Sequence, residues 1–427
     1  MARVVRLHWV TDTSAGLPRK DRRSCDYEAY IPDPLVGRGL SLEGPVAADV
    51  SESEAALVRF NLAVGALADS EALARLLLRT ESVASSRIEG LEVGARRLLH
   101  ADAERQLGEP SRDVTAAEVL GNIDAMLYAV ESVGDGDLLS IDLLLEIHRR
   151  LLSGTRLESH GGRFRSEQNW IGGSAFNACS ADYVPPPFEF VPDLVADLCA
   201  FCNEESLPAI AQAAMAHAQF ETIHPFVDGN GRTGRALIHL ILRRRGLAPR
   251  VVPPVSLILA TLASDYVQAL TAYRYEGEPS SQAAIEGLNR WVALFAGCCT
   301  RATSDAAGFE RRMRGIQDMW RERLGSVRRN STTDLLIDLL PGTPIVTVTG
   351  AASLLKRSFP ATNKAFDQLL EAGVLHKITV GKRNRAFEAT AVISAFSDLE
   401  RQLASPEGDT LSSPPARPIP ARSDREV

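Results

Sequence analysis

Two helix-forming stretches are separated by a segment that no helix can absorb, Asp228-Gly229-Asn230-Gly231, so the chain around it has to fold as helix, loop, helix. Upstream, residues 211–220 are rich in helix formers and predict an apolar helix running into Ile223. Downstream, residues 235–242 predict a second, largely buried helix. The two glycines and the Asn between them favour a tight turn with positive backbone angles. His224-Pro225 stands just before this turn, and Arg232 and Arg235 stand just after it.

That arrangement suits an anion. Gly229, Asn230 and Gly231 let backbone N–H groups approach phosphate oxygens, and the following helix presents its positive end. Arg232 and Arg235 add charge and bidentate donors. Asp228 is acidic in a site built for anions, which makes sense if it holds a divalent cation bridging phosphates. His224 is positioned to take a proton from an attacking hydroxyl. Each residue taken singly has an ordinary structural use, but the combination at this spacing reads as a phosphate site with a base beside it.

The stretch from His224 to Arg235 resembles the Fic family signature, His-Pro-Phe-x-Asp/Glu-Gly-Asn-Gly-Arg-x-x-Arg, and matches it at every specified position. The resemblance implies an all-helical fold and transfer of AMP from ATP to a Ser, Thr or Tyr hydroxyl of a protein, which could be the chain itself. It assigns His224 as general base, Asp228 as Mg²⁺ ligand, Gly229, Asn230 and Gly231 as the anion loop, and Arg232 and Arg235 as polyphosphate donors. Upstream, Ser85-Ser86-Arg87-Ile88-Glu89-Gly90 resembles the family's inhibitory motif, Ser/Thr-x-x-x-Glu-Gly/Asn, with Ser85, Glu89 and Gly90 on its specified positions. A carboxylate brought there by a neighbouring helix can pair with Arg235 and put negative charge where a terminal phosphate would lie. In some relatives the same glutamate supports removal of AMP, which leaves the reverse reaction open.

The chain has 427 residues, enough for two or three domains, and 45% hydrophobic content is ordinary for a globular protein. A net charge of −7 argues against general attraction to nucleic acids or membranes. The N-terminus lacks the apolar run of a signal peptide and no segment is long enough to span a bilayer, so a cytoplasmic protein without membrane contact is expected. Six cysteines in a chain this size do not suggest a disulfide framework, and Cys199 and Cys202 read as packing residues of an amphipathic helix.

In chain order, residues 1–50 predict an irregular arm anchored by Tyr27, Tyr30 and Ile31. Residues 51–110 predict one helix capped near Ser51, a second from Ser70 to Ile88 closed by Gly90, and a loop over residues 100–115. Residues 111–300 predict the main helical domain, interrupted between Gly161 and Pro187 by a short extended hairpin. By resemblance, that hairpin is a flap over the active site that registers the target segment. A polar linker helix is expected over residues 301–331, leading away from the body.

Residues 332–403 read as a small winged helix-turn-helix unit, and residues 404–427 as a disordered, Pro-rich tail. The overall fold class expected is mainly α, with the hairpin flap and this small appended domain. From Ile345 to Ala395 there are seven Lys/Arg against three Asp/Glu, so the unit is basic within an acidic chain. Lys364, Lys382, Arg383 and Arg385 could contact DNA phosphates. Winged helices also serve as dimerisation or protein-docking modules, so DNA, another protein and a second copy in a homodimer all stay open as partners. A DNA-binding regulator whose helical body senses nucleotide is the alternative to a transferase.

Overall fold

The computed structural model describes residues 1–11, 18, 21–65, 70–106, 108, 113–380 and 384–403. Among them two strands, β1 (Arg3–Trp9) and β2 (Cys25–Ile31), precede α1 (Gly44–Gly65), α2 (Ser70–Ile88), α3 (Ala95–Gln106), α4 (Val114–Glu131) and α5 (Ile141–Leu152). Then come α6 (Val191–Cys202), α7 (Ala209–Ile223), α8 (Asn230–Arg244), α9 (Val255–Thr261), α10 (Ala263–Tyr273) and the long α11 (Gln282–Leu324). The C-terminal unit comprises α12 (Thr332–Leu339), β3 (Ile345–Val346), α13 (Val348–Leu355), α14 (Phe359–Glu371), β4 (His376–Val380), β5 (Asn384–Glu388) and α15 (Thr390–Leu403).

Helix α7 lies at the centre. All of its residues are buried, and α8, α6, α11 and α1 pack around it. Its alanines let those helices approach closely, and Trp291 of α11 fills the space between, donating its indole N–H to Ala214 O at 2.7 Å. Pro208 cannot cap α7 through a side chain, and Glu54 does so instead, accepting from Ile210 N at 3.1 Å.

Glu54 therefore lies inside α1, which begins at Gly44 and not near Ser51 as the acidic run suggested. Pro45 explains the earlier start, because its fixed backbone angle and missing N–H suit a first helical turn. At the start of α5 a side chain does cap the helix: Ser140 accepts from Leu143 N at 3.2 Å.

Other expectations are corrected as well. The N-terminal arm is an antiparallel hairpin, paired from Arg3↔Ile31 to Trp9↔Cys25, and not an irregular segment. Tyr30 and Ile31 anchor it as expected, and Trp9 sits edge-on to Trp170 with ring centroids 5.2 Å apart. A disulfide joins Cys25 to Cys179, against the expectation of none; the partners lie 154 residues apart, a separation that carries no sequence signature. Residues 100–106, expected in a loop over 100–115, belong to a helix that starts at Ala95, because Leu98 and Leu99 are buried and Arg79 pairs with Asp102 at 2.6 Å.

The basic stretch after Arg301 does not lead away from the body. It continues α11, whose Phe309, Met313 and Trp320 remain buried while the arginines occupy the outer face. Between Gly161 and Pro187 the expected hairpin reduces to one antiparallel bridge, Ile171↔Tyr183, with a 3-10 turn at Ala178–Ser180. Its glycines and prolines limit longer pairing.

In the C-terminal unit the sheet order is β3-β5-β4, all antiparallel, and Phe366 of α14 packs on Phe387 at 4.7 Å. Lys382, Arg383 and the tail lie outside the described residues, as does the side chain of Arg385. Among the described residues no single helix is long and apolar enough to cross a membrane.

Helix α2 is fastened to the core by a fully buried polar knot. His239 of α8 donates to Glu81 at 2.8 Å, and Ser256 of α9 donates both its N–H, at 2.8 Å, and its hydroxyl. Glu81→Ala should strip buried partners from both and lower the unfolding free energy by about 3 kcal/mol, at about 1–3 kcal/mol for each group left unsatisfied. Urea denaturation is the check, with Glu81→Gln losing much less.

Candidate active site

The base sits on a backbone irregularity. Helix α7 ends at Ile223, and His224 takes the left-handed conformation, φ 49° and ψ 61°, with its N–H still bonded to Phe220 O at 2.9 Å. A non-glycine residue holds such angles only when its surroundings impose them. Here Arg165 Nε donates to His224 O at 2.9 Å, and Asn169 Nδ2 donates to Phe226 O at 3.0 Å. Burial lowers the His224 pKa to about 4, and the Arg165 charge pushes the same way. The imidazole is therefore neutral across the physiological range, as a proton acceptor must be.

The loop that follows is closed by its own side chains. Asn230 accepts from Phe226 N at 2.8 Å and donates to Phe226 O at 2.9 Å, so its side chain is engaged in closing the loop. Gly229 has φ 77°, and a Cβ there would lie 2.8 Å from Leu151 Cδ2. His148, stacked on Phe226 at 3.7 Å, fixes the loop from outside: Nε2 donates to Asp228 O at 2.9 Å and Nδ1 accepts from Gly162 N at 3.1 Å. Its pKa is lowered to about 4, by burial first, so this neutral tautomer persists.

Asp228 turns Oδ1 onto Gly229 N at 2.6 Å, stands 3.6 Å from Arg232, and keeps 49% of its side chain exposed at the loop mouth. Arg232 is buried, and its Nε lacks a protein partner, as do Thr233 Oγ1 and His224 Nδ1. Unsatisfied buried polar atoms grouped at one site are what a polar ligand would complete.

One carboxylate occupies the cradle. Arg235, 1% exposed, donates Nε to Ser85 Oγ at 2.8 Å and Nη2 to Ser85 O at 2.7 Å and Glu89 Oε1 at 2.8 Å. Glu89 Oε1 also lies only 2.0 Å from where a Cβ on Gly231 would stand. The Glu89 carboxylate thus rests on the first turn of α8, the end that favours anions. Burial raises the Glu89 pKa, but Arg235 outweighs it and holds the carboxyl below its ordinary range.

Gly90 has no contact role. With φ 81° it ends α2, through Leu91 N to Ser86 O at 3.0 Å and Gly90 N to Arg87 O at 2.9 Å. The other residues of the two motifs, Ser85, Glu89, His224, Asp228, Gly229, Asn230, Gly231, Arg232 and Arg235, lie around the end of α2 and the turn between α7 and α8.

Sequence reasoning missed the second ring. His148 carried a signal, since it shares the buried stripe of α5 with Leu144, Ile147 and Leu151. Arg165 and Asn169 sit among glycines where no periodicity marks a face. Glu221, with an unpartnered Oε1 against Gly234 and a pKa raised to about 7 by burial, lies inside an entirely buried helix.

Residues 138–242 match the Fic/DOC family, and residues 47–131 match the Fic/DOC family N-terminal region. The protein adenylyltransferase fic-1 of Caenorhabditis briggsae is 38% identical over 118 residues, 27% of this chain and 21% of that protein. The protein adenylyltransferase Fic of Nematostella vectensis is 34% identical over 163 residues, 36% of this chain and 35% of that protein. The matches thus span about a fifth to a third of these relatives' length. A crystal structure of a Fic family protein from Desulfovibrio desulfuricans G20 aligns with a TM-score of 0.50 and 21% identity, over 82% of this chain and 97% of that one, which establishes the shared fold. Over residues 47–131 and 138–242 the chain is similar to the Fic/DOC family.

Proposed function

We propose that the chain transfers AMP from Mg-ATP to a protein hydroxyl and that Glu89 holds it inactive. The observation that carries this reading is the Glu89 carboxylate seated on Gly231 and Arg235, where an anion-binding turn would take a phosphate, beside a neutral base. The relatives named protein adenylyltransferase support the same activity.

In this reading the polyphosphate lies on the N–H groups of residues 229–231 and on Arg232 and Arg235. His224 takes the proton of the acceptor hydroxyl, whose oxygen attacks the α-phosphorus, and pyrophosphate leaves. Positioning and charge stabilisation supply most of the rate. No group of three His, Cys, Asp or Glu among the described residues could hold a metal by itself. Mg²⁺ fits Asp228 because that ion takes one or two carboxylates with phosphate oxygens and water. When bound it would neutralise phosphate charge.

The C-terminal unit we read as a winged helix-turn-helix, on its helix–strand–helix–helix–strand–strand order and three-stranded sheet. A DNA-contacting role is favoured by one observation: α14 borders a cleft of about 680 Å³ that Arg323, Arg328 and Lys364 line against one acid, Glu371. Replacing those three basic residues with Ala should weaken duplex DNA binding in a gel-shift assay while leaving AMP transfer intact. DNA binding that persists unchanged removes the role.

With α-labelled ATP and Mg²⁺, Glu89→Gly should incorporate at least about tenfold more label into protein than wild type, a change that needs only about 1.4 kcal/mol. Adding His224→Ala should cut that label by about 100-fold or more, the usual contribution of a general base. Equal labelling by wild type and Glu89→Gly would remove the inhibitory role. The pH profile follows from the sign of the His224 shift: a base with its pKa lowered to about 4 is lost only on the acid side. Labelling by Glu89→Gly should therefore be flat from about pH 8 to about pH 5.5, with no limb near the ordinary histidine value of about 6.5.

A further inference from the structure

We infer that Arg165 is a positioning residue for the base: its guanidinium, held by main-chain carbonyls alone, locks His224 in its left-handed turn and sets a fixed positive charge beside the imidazole. The inference rests on the reading of His224 as proton acceptor.

Arg165 is 3% exposed, and among the described residues no carboxylate lies within ion-pair distance of it. Its donors go to both sides of one seam. On the side of the base, Nε reaches His224 O at 2.9 Å, Nη2 reaches Ile223 O at 3.4 Å, and the backbone N–H reaches Pro225 O at 3.0 Å. On the side of the Gly161–Pro187 segment, Nη1 reaches Glu167 O at 3.2 Å and Nη2 reaches Pro186 O at 2.5 Å. One residue thus binds three consecutive residues around the base to the segment that crosses above them, Ile223 and His224 through its side chain and Pro225 through its backbone.

A buried guanidinium is costly without a counter-charge, and most are paired. Here carbonyl dipoles satisfy the donors without cancelling the net charge, which leaves a field on the neighbouring imidazole. The charged groups acting on His224 are Arg165 from the crossing segment, Arg274 from the end of α10 and Glu89 after α2, while Glu221 on α7 acts through its main chain. Burial comes first in keeping the imidazole neutral, Arg165 second, and Arg274 acts in the same sense while Glu89 opposes. A carboxylate partner for Arg165 would have weakened that effect. Asn169 shares the geometric task but not the charge, through Nδ2 to His224 O at 3.4 Å and Phe226 O at 3.0 Å.

The test uses full-length Glu89→Gly as parent and adds Arg165→Gln, Arg165→Lys or Asn169→Ala. The titration midpoint of His224 is read by NMR of histidine-labelled protein, assigned by the signal that His224→Ala removes, and kcat and KM for ATP are read from label transfer. Arg165→Gln should raise the midpoint by about one pH unit and lower kcat at least about tenfold with KM for ATP little changed. Arg165→Lys should return the midpoint to the parent value with partial recovery of kcat, and Asn169→Ala should lower kcat without moving the midpoint.

An unmoved midpoint in Arg165→Gln, or unchanged kcat in all three variants, overturns the inference. If the parent transfers no AMP, the functional reading has failed, and the midpoint still decides what Arg165 does to His224. If Arg165→Gln does not fold, parent-like kcat in both Arg165→Lys and Asn169→Ala overturns the inference.

Discussion

A guanidinium buried in the core, that of Arg235, sets the terms for the structure around it. It stands one helical turn beyond the glycine loop, and its charge has to be met from outside α8. Ser85 and Glu89 meet it from the end of α2, so that helix must lie where its last turn reaches the loop. The Glu81 knot, two turns earlier, fixes the same helix against α8 and α9. Position and charge of α2 are therefore separate constraints: the knot holds the helix, and the ion pair holds its tip. Removing the Glu89 carboxylate takes the counter-charge from Arg235 but leaves its bonds to Ser85 and the Glu81 knot in place.

The base is organised by the opposite device. Arg235 has a carboxylate, whereas Arg165 has only carbonyls, and the imidazole between them stays uncharged. A site for a highly charged ligand thus holds its acceptor neutral by burial and by positive charge placed nearby, with the Glu89 carboxylate opposing from across the cradle. His148 extends the scheme, since a neutral ring bonded through both nitrogens orients the loop without adding charge. Two side chains that never appear in the signature, Arg165 and His148, therefore help determine how the signature residues behave.

Much of the site was legible because its chemistry is compressed into twelve consecutive residues, and the turn from α7 to α8 followed from two glycines. The end of α2 was legible as well, since Gly90 marks its stop. What escaped were features decided by distant partners. Cys25 finds Cys179 across the chain, Asp102 finds Arg79, and Glu54 leaves its own helix face to cap another helix. The long α11 was misread because arginines on its outer face hid the buried Phe309, Met313 and Trp320. Composition averaged over a window cannot separate the two faces of one helix.

The length of α11 has a mechanical consequence. Its 43 residues run unbroken from the packing around α7 to the C-terminal unit, about 65 Å at about 1.5 Å per residue. Flexible tethers let an appended unit sample many orientations, and a target gripped by one would meet the catalytic mouth only by chance encounter. A continuous rod offers no such freedom. The C-terminal unit is held by that helix and also by its own packing on α3 and α9, with Arg96 paired to Glu388 at 2.6 Å, so it keeps one orientation relative to His224.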